Sequence, residues 1–294
     1  MNFKQIGIVG KTESKALQTI SSLVDYLAGK QINLAMESKT HAQLAISGLA
    51  NTALEAYDLA TLCEKSDLII VVGGDGTLLG TARIAVNFDT PLLGINLGRL
   101  GFLVDISPEA MRDSLDKVLE GQYEVDDRLL LELNLQNSES PSIAFNDVVI
   151  HKWNTARLIE FETFINGQFV DRQRSDGLII ATPTGSTAYA LSGGGPLVYP
   201  GLDAISLVPI CPHTLSNRPI VVPADSSIEI RVCGHTPTDE LRISCDGQET
   251  RALNQGTDRF FIEKHQKKVR LIHPPEHDHF HILRKKLGWG SHHS

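Results

Sequence analysis

The chain has 294 residues, of which 41% are hydrophobic and 21% charged, and this composition predicts a globular protein of two domains. Its formal net charge of −8 argues against nucleic acid or an anionic membrane as the main partner. The sequence has no apolar run long enough for a membrane-spanning helix, and its N-terminus is predicted to enter a strand directly, without a signal peptide. The four cysteines lie far apart, which favours reduced thiols and a cytoplasmic location.

The first third of the chain alternates predicted strands and helices. Apolar runs predict strands at 6–9, 32–36, 68–72 and 92–95. Helices with one apolar face are predicted to begin at Thr12 and at Ser107-Pro108, whereas residues 38–57 give no clear pattern. This rhythm predicts a parallel sheet with helices on both faces, whose ligands bind at the carboxyl ends of the strands.

A glycine-rich turn follows the strand predicted at 68–72. It reads GGDG at 73–76, and Thr77 is predicted to cap the next helix. Strand, glycine turn and helix together place backbone N–H groups and a helix dipole beside a phosphate. Asp75 would repel that phosphate, so we interpret its carboxylate as acting on a proton or a metal ion, which indicates phosphoryl transfer. The alternative is a purely structural turn.

Two related nucleotide-binding motifs do not fit. The dinucleotide fingerprint G-x-G-x-x-G would need a third glycine where the chain has Leu79. A P-loop that ends at 10–12 would need a glycine where the chain has Gln5. We therefore interpret 10–12 as a plain turn from strand to helix.

After about residue 125 the predicted elements are almost all strands. Apolar runs predict them at 129–135, 143–150, 158–165, 169–172, 178–181, 205–208, 220–222, 228–232, 241–244, 260–263 and 269–272. Asn166-Gly167 and Asp246-Gly247 predict hairpin turns. This half is predicted to be an all-β sandwich or barrel, followed by a helix at 281–287 that returns to the first domain.

Two groups of polar residues in the second half are candidate site residues. Asn146 and Asp147 interrupt an apolar strand, so one of them is predicted to face inward, where ribose hydroxyls would satisfy it; a bulge or an edge strand is the alternative. Arg174 and Asp176 form either a structural ion pair or a site in which Arg174 meets a phosphate and Asp176 accepts a hydrogen bond from an amide.

The segment TPTGSTAY at 182–189 combines hydroxyls with small residues. Its hydroxyls and a helix start near Ser186 predict a polar mouth with room for a flat ring, which Tyr189 would cover. An over-capped helix start is the alternative. The glycines at 193–195 predict a close backbone approach or a flexible loop.

Histidines cluster late in the chain, at His273, His277, His279, His281, His292 and His293. We interpret them as part of a solvated tail, because a metal site would need cysteine or carboxylate partners at ligand spacing. The sequence therefore predicts no metal-ligating residue.

Taken together, these segments strongly resemble the NAD kinase family in its bacterial form. The matching segments are GGDGT at 73–77, NLGRLGFL at 96–103, FNDVVI at 145–150, QRSDGLIIATPTGSTAYALSGGGP at 173–196, PHTLSNRP at 212–219 and ISCDGQ at 243–248. The resemblance runs from residue 5 to Trp289. A GGDG turn also occurs in diacylglycerol-type lipid kinases and phosphofructokinases, whereas TPTGSTAY combined with the Asn-Asp pair is far more specific.

The resemblance implies a fold and a reaction. The fold is a Rossmann-like α/β domain at 1–125 and a β-sandwich NAD-binding domain at 126–274, with 275–294 packing back on the first domain. The family transfers the γ-phosphoryl group of ATP to the 2′-hydroxyl of the adenosine ribose of NAD, giving NADP and ADP. Mg²⁺ would accompany ATP, and family members are usually homodimers or homotetramers.

The resemblance also implies roles for individual residues. Asp75 matches the proton acceptor, and Asp75 and Gly76 match NAD contacts. Asn146 and Asp147 match the pair that holds ribose hydroxyls, although many bacterial relatives have glutamate where this chain has Asp147. The other implied NAD contacts are Arg157, Arg174, Asp176, Thr187, Ala188, Tyr189, Ala190, Leu191, Ser192 and Gln248.

Three other functions compete with this interpretation. A lipid kinase would favour an apolar entrance and a basic face, whereas this chain is acidic with 6% aromatic residues. A sugar kinase of the phosphofructokinase type would need a second α/β domain. A non-catalytic NAD(P)-binding sensor could keep the fold, but Asp75 is present.

Overall fold

The computed structural model describes residues 3–49, 54–136, 140–233, 236–253 and 258–289. Contacts divide the chain into a first unit, formed by residues 1–127 and 269–294, and a second unit, formed by residues 128–268. Within the described ranges, we find no helix that is both long enough and apolar enough to cross a membrane.

The first unit is an α/β unit. Its elements up to the end of the first segment are β1 (Gln5–Gly10), α1 (Ser14–Ala28), β2 (Asn33–Glu37), α2 (Ser38–Ile46), β3 (Glu55–Tyr57), α3 (Leu59–Lys65), β4 (Leu68–Val72), α4 (Asp75–Ala85), β5 (Leu92–Ile95), α5 (Met111–Leu119) and β6 (Glu124–Arg128).

The second unit consists mostly of strands. They are β7 (Leu131–Leu135), β8 (Ser142–Ala144), β9 (Asp147–Lys152), β10 (Ile159–Ile165), β11 (Gln168–Ser175), β12 (Gly177–Ala181), β13 (Ala204–Ile210), β14 (Ile220–Pro223), β15 (Ile228–Val232), β16 (Leu241–Cys245), β17 (Glu249–Ala252) and β18 (Arg259–Lys264). Between β12 and β13 lie a 3-10 helix (Thr184–Thr187) and the short helix α6 (Tyr189–Ser192).

The chain then returns to the first unit with β19 (Val269–His273) and α7 (His279–Leu287). The seven strands of this unit form one sheet in the order β3-β2-β1-β4-β5-β19-β6, and the neighbouring strands from β3 to β19 pair in parallel. All five residues of β4 are buried, as expected for a central strand covered on both faces. The parallel α/β fold predicted for the first domain is confirmed.

The second unit is a sandwich of two antiparallel six-stranded sheets. One sheet has the order β11-β10-β15-β18-β7-β8 and the other has the order β14-β13-β12-β9-β16-β17. Both contribute to one core, with Phe161 and Phe260 from the first sheet and Ile150 and Ile243 from the second. The all-β prediction is confirmed for β7 to β18, and because these strands form two sheets facing one core, the fold is a sandwich. The strand predicted at 269–272 belongs instead to the sheet of the first unit, because β19 pairs with β5, and the second unit therefore ends at residue 268.

The two predicted hairpin turns are confirmed. Asn166-Gly167 joins β10 to β11, and Asp246-Gly247 joins β16 to β17. All four residues have positive φ, between 52° and 76°, which asparagine, aspartate and glycine adopt more readily than other residues.

Three predicted helix starts are displaced in the structure. Helix α1 begins at Ser14 after Glu13 rather than at Thr12, and α4 begins at Asp75, so Thr77 lies inside the helix. Helix α5 begins at Met111, whereas Ser107 lies in the preceding turn, where it accepts a hydrogen bond from the Ala110 amide. In each case a hydroxyl residue lies near the boundary, but backbone geometry sets the helix start.

Residues 38–57, which gave no clear pattern, form α2 and β3, while 50–53 lie outside the described residues. Sequence periodicity fails here because α2 buries only Thr40 and Leu44. The short β3 is largely exposed, so it has no apolar run to reveal it.

The prediction of a solvated histidine tail is wrong for two residues. His273 ends β19 and is 2% exposed, and His277 lies in the turn before α7; both contact Asp105. This carboxylate partner is 168 residues from His273, so no local ligand spacing could reveal it. His292 and His293 lie outside the described residues.

Candidate active site

The glycine turn lies at the carboxyl end of β4, in the middle of the parallel sheet. Gly73 donates its amide to the carbonyl of Ile95 at 2.9 Å, which ties the turn to the neighbouring β5. Gly74 is the N-cap of α4, and Asp75 is in the first turn of that helix. The positive end of the helix dipole therefore favours the charge of Asp75.

The Asp75 carboxylate is held by three backbone amides from the segment after β5. Its Oδ2 accepts from Phe102 at 3.0 Å, and its Oδ1 accepts from Leu103 at 3.0 Å and Val104 at 3.3 Å. Hydrogen bonds to a charged acceptor are stronger than neutral ones, so these amides fix the orientation of the carboxylate.

Gly101 allows this arrangement. A Cβ at this position would overlap the Asp75 carboxylate and lie 2.5 Å from Val104 Cγ2. Backbone and carboxylate approach each other closely here because glycine has no side chain. The NLGRLGFL segment thus supports Asp75 through its main chain rather than through its charged or apolar side chains.

A cavity of about 600 Å³ opens in the second unit beside the start of β9. Its lining residues are Asn146, Asp147, Val149, His151, Lys152, Asp176, Ala188, Tyr189, Ile210, Ser244, Asp246 and Gly247. Strand β9 supplies Asp147, Val149, His151 and Lys152, and its neighbour in the sheet, β16, supplies Ser244.

Asp246 organises the polar end of this cavity. Its Oδ1 accepts from the amides of Phe145 at 2.9 Å, Asn146 at 2.7 Å and Asp147 at 3.3 Å. The Asp246 amide in turn donates to the carbonyl of Asp147 at 2.9 Å. The hairpin turn after β16 therefore fixes the backbone of the Asn-Asp pair.

The Asp147 side chain is buried, with 4% of the residue exposed. Burial raises the pKa of its carboxyl to about 7, and the nearby charge of Asp246 adds to the effect. Near neutral pH this carboxyl therefore exists partly in the protonated form, which can donate a hydrogen bond as well as accept one.

Asp176 forms its ion pair with Lys152 rather than with Arg174. Lys152 Nζ lies 2.6 Å from Asp176 Oδ1, and both side chains are 29% exposed. A backbone hydrogen bond joins the same two residues, because the Lys152 amide donates to the Asp176 carbonyl at 3.0 Å. The cavity thus has a charged pair in addition to its carboxyl groups.

Most hydroxyls of the TPTGST turn bind within the protein. Thr182 donates to the carbonyl of Phe145 at 2.7 Å, and Ser186 donates to that of Pro183 at 2.6 Å. Thr184 accepts from the Arg128 guanidinium at 3.1 Å. The prediction that these hydroxyls line a polar opening is therefore wrong. The alternative, a helix start with several capping hydroxyls, describes them better.

The predicted contact residues fall into three groups. Asp75 and Gly76 belong to the first unit. The cavity brings together Asn146, Asp147, Asp176, Ala188 and Tyr189. Outside its lining lie Arg157, Arg174, Thr187, Ala190, Leu191, Ser192 and Gln248.

Sequence reasoning missed several residues of the site. Asp246-Gly247 predicts only a hairpin turn, although an acidic residue before glycine at the end of a strand is a usable signal for a site. Lys152 gave no signal, because only the antiparallel pairing of β9 with β12 brings it to Asp176. The amides that hold Asp75 are main-chain groups, so no side-chain pattern marks them.

Comparison with known proteins identifies the family. Residues 6–123 match the model of the ATP-NAD kinase N-terminal domain, and residues 145–274 match that of the C-terminal domain. The NAD kinase of Nitrosococcus oceani is 48% identical over 292 residues, covering 98% of this chain and 97% of that one. The NAD kinase of Chromohalobacter salexigens is 46% identical over 293 residues, covering 98% of each chain.

Solved structures agree with the sequence matches. The yeast NADH kinase complexed with NADH superposes with a TM-score of 0.89 at 26% identity, covering 100% of this chain and 90% of that one. An NAD kinase from Archaeoglobus fulgidus in complex with ATP gives a TM-score of 0.73 at 27% identity, covering 97% of each chain.

These matches span both units of the fold, and the relatives that they identify are NAD kinases. The protein is therefore an enzyme of the phosphotransferase class. The chain belongs to the ATP-NAD kinase family.

Proposed function

We propose that this chain transfers the γ-phosphoryl group of ATP to the 2′-hydroxyl of the adenosine ribose of NAD, giving NADP and ADP. The observation that carries the proposal is the Asp75 carboxylate, which three amides hold at the start of α4. Family membership supplies the substrates, since the relatives are NAD kinases and a similar solved structure contains ATP.

Asp75 is proposed to align the 2′-hydroxyl and to take its proton. Each oxygen of an ionised carboxylate offers about two lone-pair sites. Oδ1 accepts from two of the three amides and Oδ2 from one, so Oδ2 keeps a site for a substrate hydroxyl. An aspartate is a weak base for an alcohol, so the proton moves late, as the new bond to phosphorus forms.

The cavity of the second unit is proposed to hold NAD. Asn146 and Asp147 would bind ribose hydroxyls, and a protonated Asp147 could donate to one oxygen of the diol. Tyr189, whose side chain is about half exposed, would cover a flat ring of the ligand. We propose the remaining implied contacts as well, namely Gly76, Arg157, Arg174, Asp176, Thr187, Ala188, Ala190, Leu191, Ser192 and Gln248.

Mg²⁺ is proposed to act together with ATP. This ion takes oxygen ligands and is commonly held by phosphates with one or two carboxylates. The GGDG turn could supply one carboxylate ligand to Mg²⁺, that of Asp75. Backbone amides already bind both oxygens of this carboxylate, so the turn would contribute little to the binding of the ion. When bound, Mg²⁺ would neutralise the charge that develops on the transferred group.

We also propose a cytoplasmic homodimer or homotetramer. None of the four cysteines, all within the described ranges, forms a disulfide, as expected in a reducing compartment. The edge strands β11 and β14 expose apolar side chains, including Phe169 at 58% and Val221 at 48%. Such patches commonly mark protein contacts, so light scattering on the purified chain should give a mass above that of a monomer.

The test is an assay with ATP, Mg²⁺ and NAD, in which an NADP-specific dehydrogenase converts the product into NADPH for detection. Wild-type protein should form NADP, and it should not phosphorylate diacylglycerol. Asp75→Asn should lower kcat about 10²–10⁴-fold, the usual contribution of a positioned base, while folding and NAD binding persist.

Asp67→Asn is the matched control. Asp67 also accepts two backbone amides, from Lys4 and Gln5, but it precedes β4 at the opposite end of the strand. This variant should lose stability without the loss of kcat. Equal kcat in Asp75→Asn and wild type, or failure of Asp75→Asn to fold, would contradict the assignment.

A further inference from the structure

A second cluster of titratable side chains, separate from the residues of the glycine turn, lies in the first unit. Asp105 follows β5 in the chain, His273 ends β19, and His277 lies before α7. Asp105 Oδ2 is 3.0 Å from His273 Nδ1 and 2.5 Å from His277 Nδ1. The two imidazole rings stack with centroids 3.8 Å apart.

The cluster is buried and leaves polar atoms without hydrogen bonds. The side chains of His273, Asp105 and His277 are only 3%, 9% and 10% exposed. Asp105 Oδ1 and His273 Nε2 are buried and have no hydrogen-bond partner, and the carboxylate nearest to His273 Nε2 is that of Asp126 at 3.9 Å. Burying polar atoms without partners is unfavourable, so the cluster has unused binding capacity.

The spacing of the ligand atoms suits a small cation. One ligand atom from each of the three residues lies within 4.8 Å of the others. In a tetrahedral zinc site, ligand atoms about 2.0–2.1 Å from the ion lie roughly 3.4 Å from each other. The two N···O distances would therefore lengthen by about 0.4 and 0.9 Å, which rotation of the side chains can supply.

We propose that Asp105, His273 and His277 form a binding site for a divalent cation of the zinc type. The two Nδ1 atoms and one carboxylate oxygen would be the three protein ligands. The fourth position would face a cavity of about 580 Å³, whose lining includes Asp105 and His277. A three-ligand set with one open position is the pattern of zinc sites that bind a water or a further ligand.

The chemistry of the cluster separates this site from the Mg²⁺ that accompanies ATP. Imidazole nitrogen suits zinc, cobalt and nickel, whereas Mg²⁺ takes oxygen ligands. The cavity beside the cluster also favours a cation, because its lining contains five carboxylates, including Glu276 and Asp278, and two lysines, Lys117 and Lys285.

A cation here would join two distant segments of the chain. Asp105 follows Val104, one of the residues whose amide holds Asp75, while His273 and His277 belong to the segment that returns from the second unit. The cation would therefore fasten the returning segment to the segment that supports Asp75. Because binding occurs in the folded state, it should also raise the melting temperature.

The experiment titrates Zn²⁺ alone into the full-length protein after treatment with a chelator, using calorimetry. One Zn²⁺ per chain should bind and raise the Tm. His273→Ala and His277→Ala should each weaken binding more than the roughly 10–100-fold typical for loss of an outer-shell partner. The readout is cation binding, so a failed kinase assay would leave this result unaffected.

Two controls address other histidines. His213→Ala removes an exposed histidine of the second unit, and His292→Ala/His293→Ala removes the pair near the end of the sequence. Both variants should bind Zn²⁺ like the wild type. Loss of binding in the second control but not in the cluster variants would overturn the proposal.

Cobalt provides a measurement that does not depend on a variant folding. Co²⁺ bound to the wild type should give the intense visible absorption of a four-coordinate site with nitrogen ligands, and Zn²⁺ should abolish it by competition. Absence of stoichiometric Zn²⁺ binding, or a Co²⁺ spectrum of the weak six-coordinate type, would show that the cluster is only a buried hydrogen-bonded triad.

Discussion

Asp147 and Asp246 are two neighbouring carboxyl groups with different environments. Three backbone amides surround Asp246, whereas burial raises the pKa of Asp147 to about 7. In the unfolded chain Asp147 would ionise near its ordinary value of 3.8. Between about pH 4 and pH 7 the folded state therefore binds more protons than the unfolded state, and this group's contribution makes the protein less stable as the pH rises.

Asp147→Asn should remove this pH dependence. The variant should be more stable than the wild type at pH 8, by up to roughly 4 kcal/mol, because one pKa unit corresponds to about 1.4 kcal/mol. At pH 4 the difference should be small, since the wild-type side chain is then neutral. Urea unfolding of both proteins at the two pH values measures the effect.

Asp258→Asn serves as the control for the loss of one acidic charge, because Asp258 is an exposed residue of the same unit. A difference in the free energy of unfolding between Asp147→Asn and wild type that stays constant from pH 4 to pH 8 would contradict the raised pKa.

In the kinase assay, Asp147→Asn should raise the KM for NAD, because an amide cannot alternate between donor and acceptor at the same atom.

The sequence reveals such residues only in part. Asp147 could be predicted, because two polar residues interrupt an apolar strand. The supporting role of Asp246 could not, because this residue is 100 positions from Asn146 and only the pairing of β9 with β16 brings them together. The same reason hid Asp105 as the partner of two late histidines.

At the scale of elements, the glycine turn depends on a second segment. The sequence correctly predicts strand, turn and helix at 68–85, because a buried strand and glycines give clear local signals. It does not predict that the segment after β5 holds Asp75, because the contacts are made by main-chain amides. Gly101 is a residue whose type does reflect this contact, because a Cβ there would overlap the Asp75 carboxylate.

Gly101→Ala should impair catalysis. Its Cβ would displace the Asp75 carboxylate or Val104. A shift of about 1 Å in a positioned group can lower a rate roughly 10²-fold, and overpacking typically costs about 1–3 kcal/mol of stability. Steady-state kinetics and thermal unfolding measure the two effects.

Gly29→Ala is the control in the same unit. A Cβ on Gly29 would meet only the Tyr26 carbonyl oxygen, at an ordinary distance of 3.8 Å, and its φ of −76° suits alanine. This variant should keep kcat within a few-fold of wild type. A Gly101→Ala enzyme with normal kcat would show that Asp75 does not need its amide partners.

At the scale of the whole molecule, the order of strands could not be read from the sequence. Apolar periodicity correctly gives an α/β half and a β half, because it depends on residues close in the chain. Strand order depends on pairing between distant segments, and β19 lies between β5 and β6 although the entire second unit separates it from them. The Arg270–Asp127 ion pair, at 3.3 Å, also ties the returning segment to the end of β6.

The fragment 1–127 should not fold on its own. It lacks β19, whose Val269, Leu271 and Ile272 are at most 2% exposed. Losing three buried apolar side chains removes roughly 5–9 kcal/mol, comparable to the total stability of a typical domain. Circular dichroism and thermal unfolding should show no cooperative transition.

Two further fragments complete this experiment. The continuous fragment 128–268 should unfold cooperatively, because it contains every strand of the sandwich. Joining 269–294 to 1–127 through a short Gly/Ser linker should restore folding of the first unit. Cooperative unfolding of 1–127 alone would refute the importance of β19.

The position of β19 also sets an order of events during synthesis. A ribosome adds about 5–20 residues per second, so the stretch 128–268 takes roughly 7–28 s to translate. The sandwich can fold in that interval. The sheet that carries Asp75 cannot yet be completed, because β19, the strand between β5 and β6, has not been synthesised. The nascent N-terminal half is thus the part of the molecule most exposed to chaperones and to aggregation before translation ends.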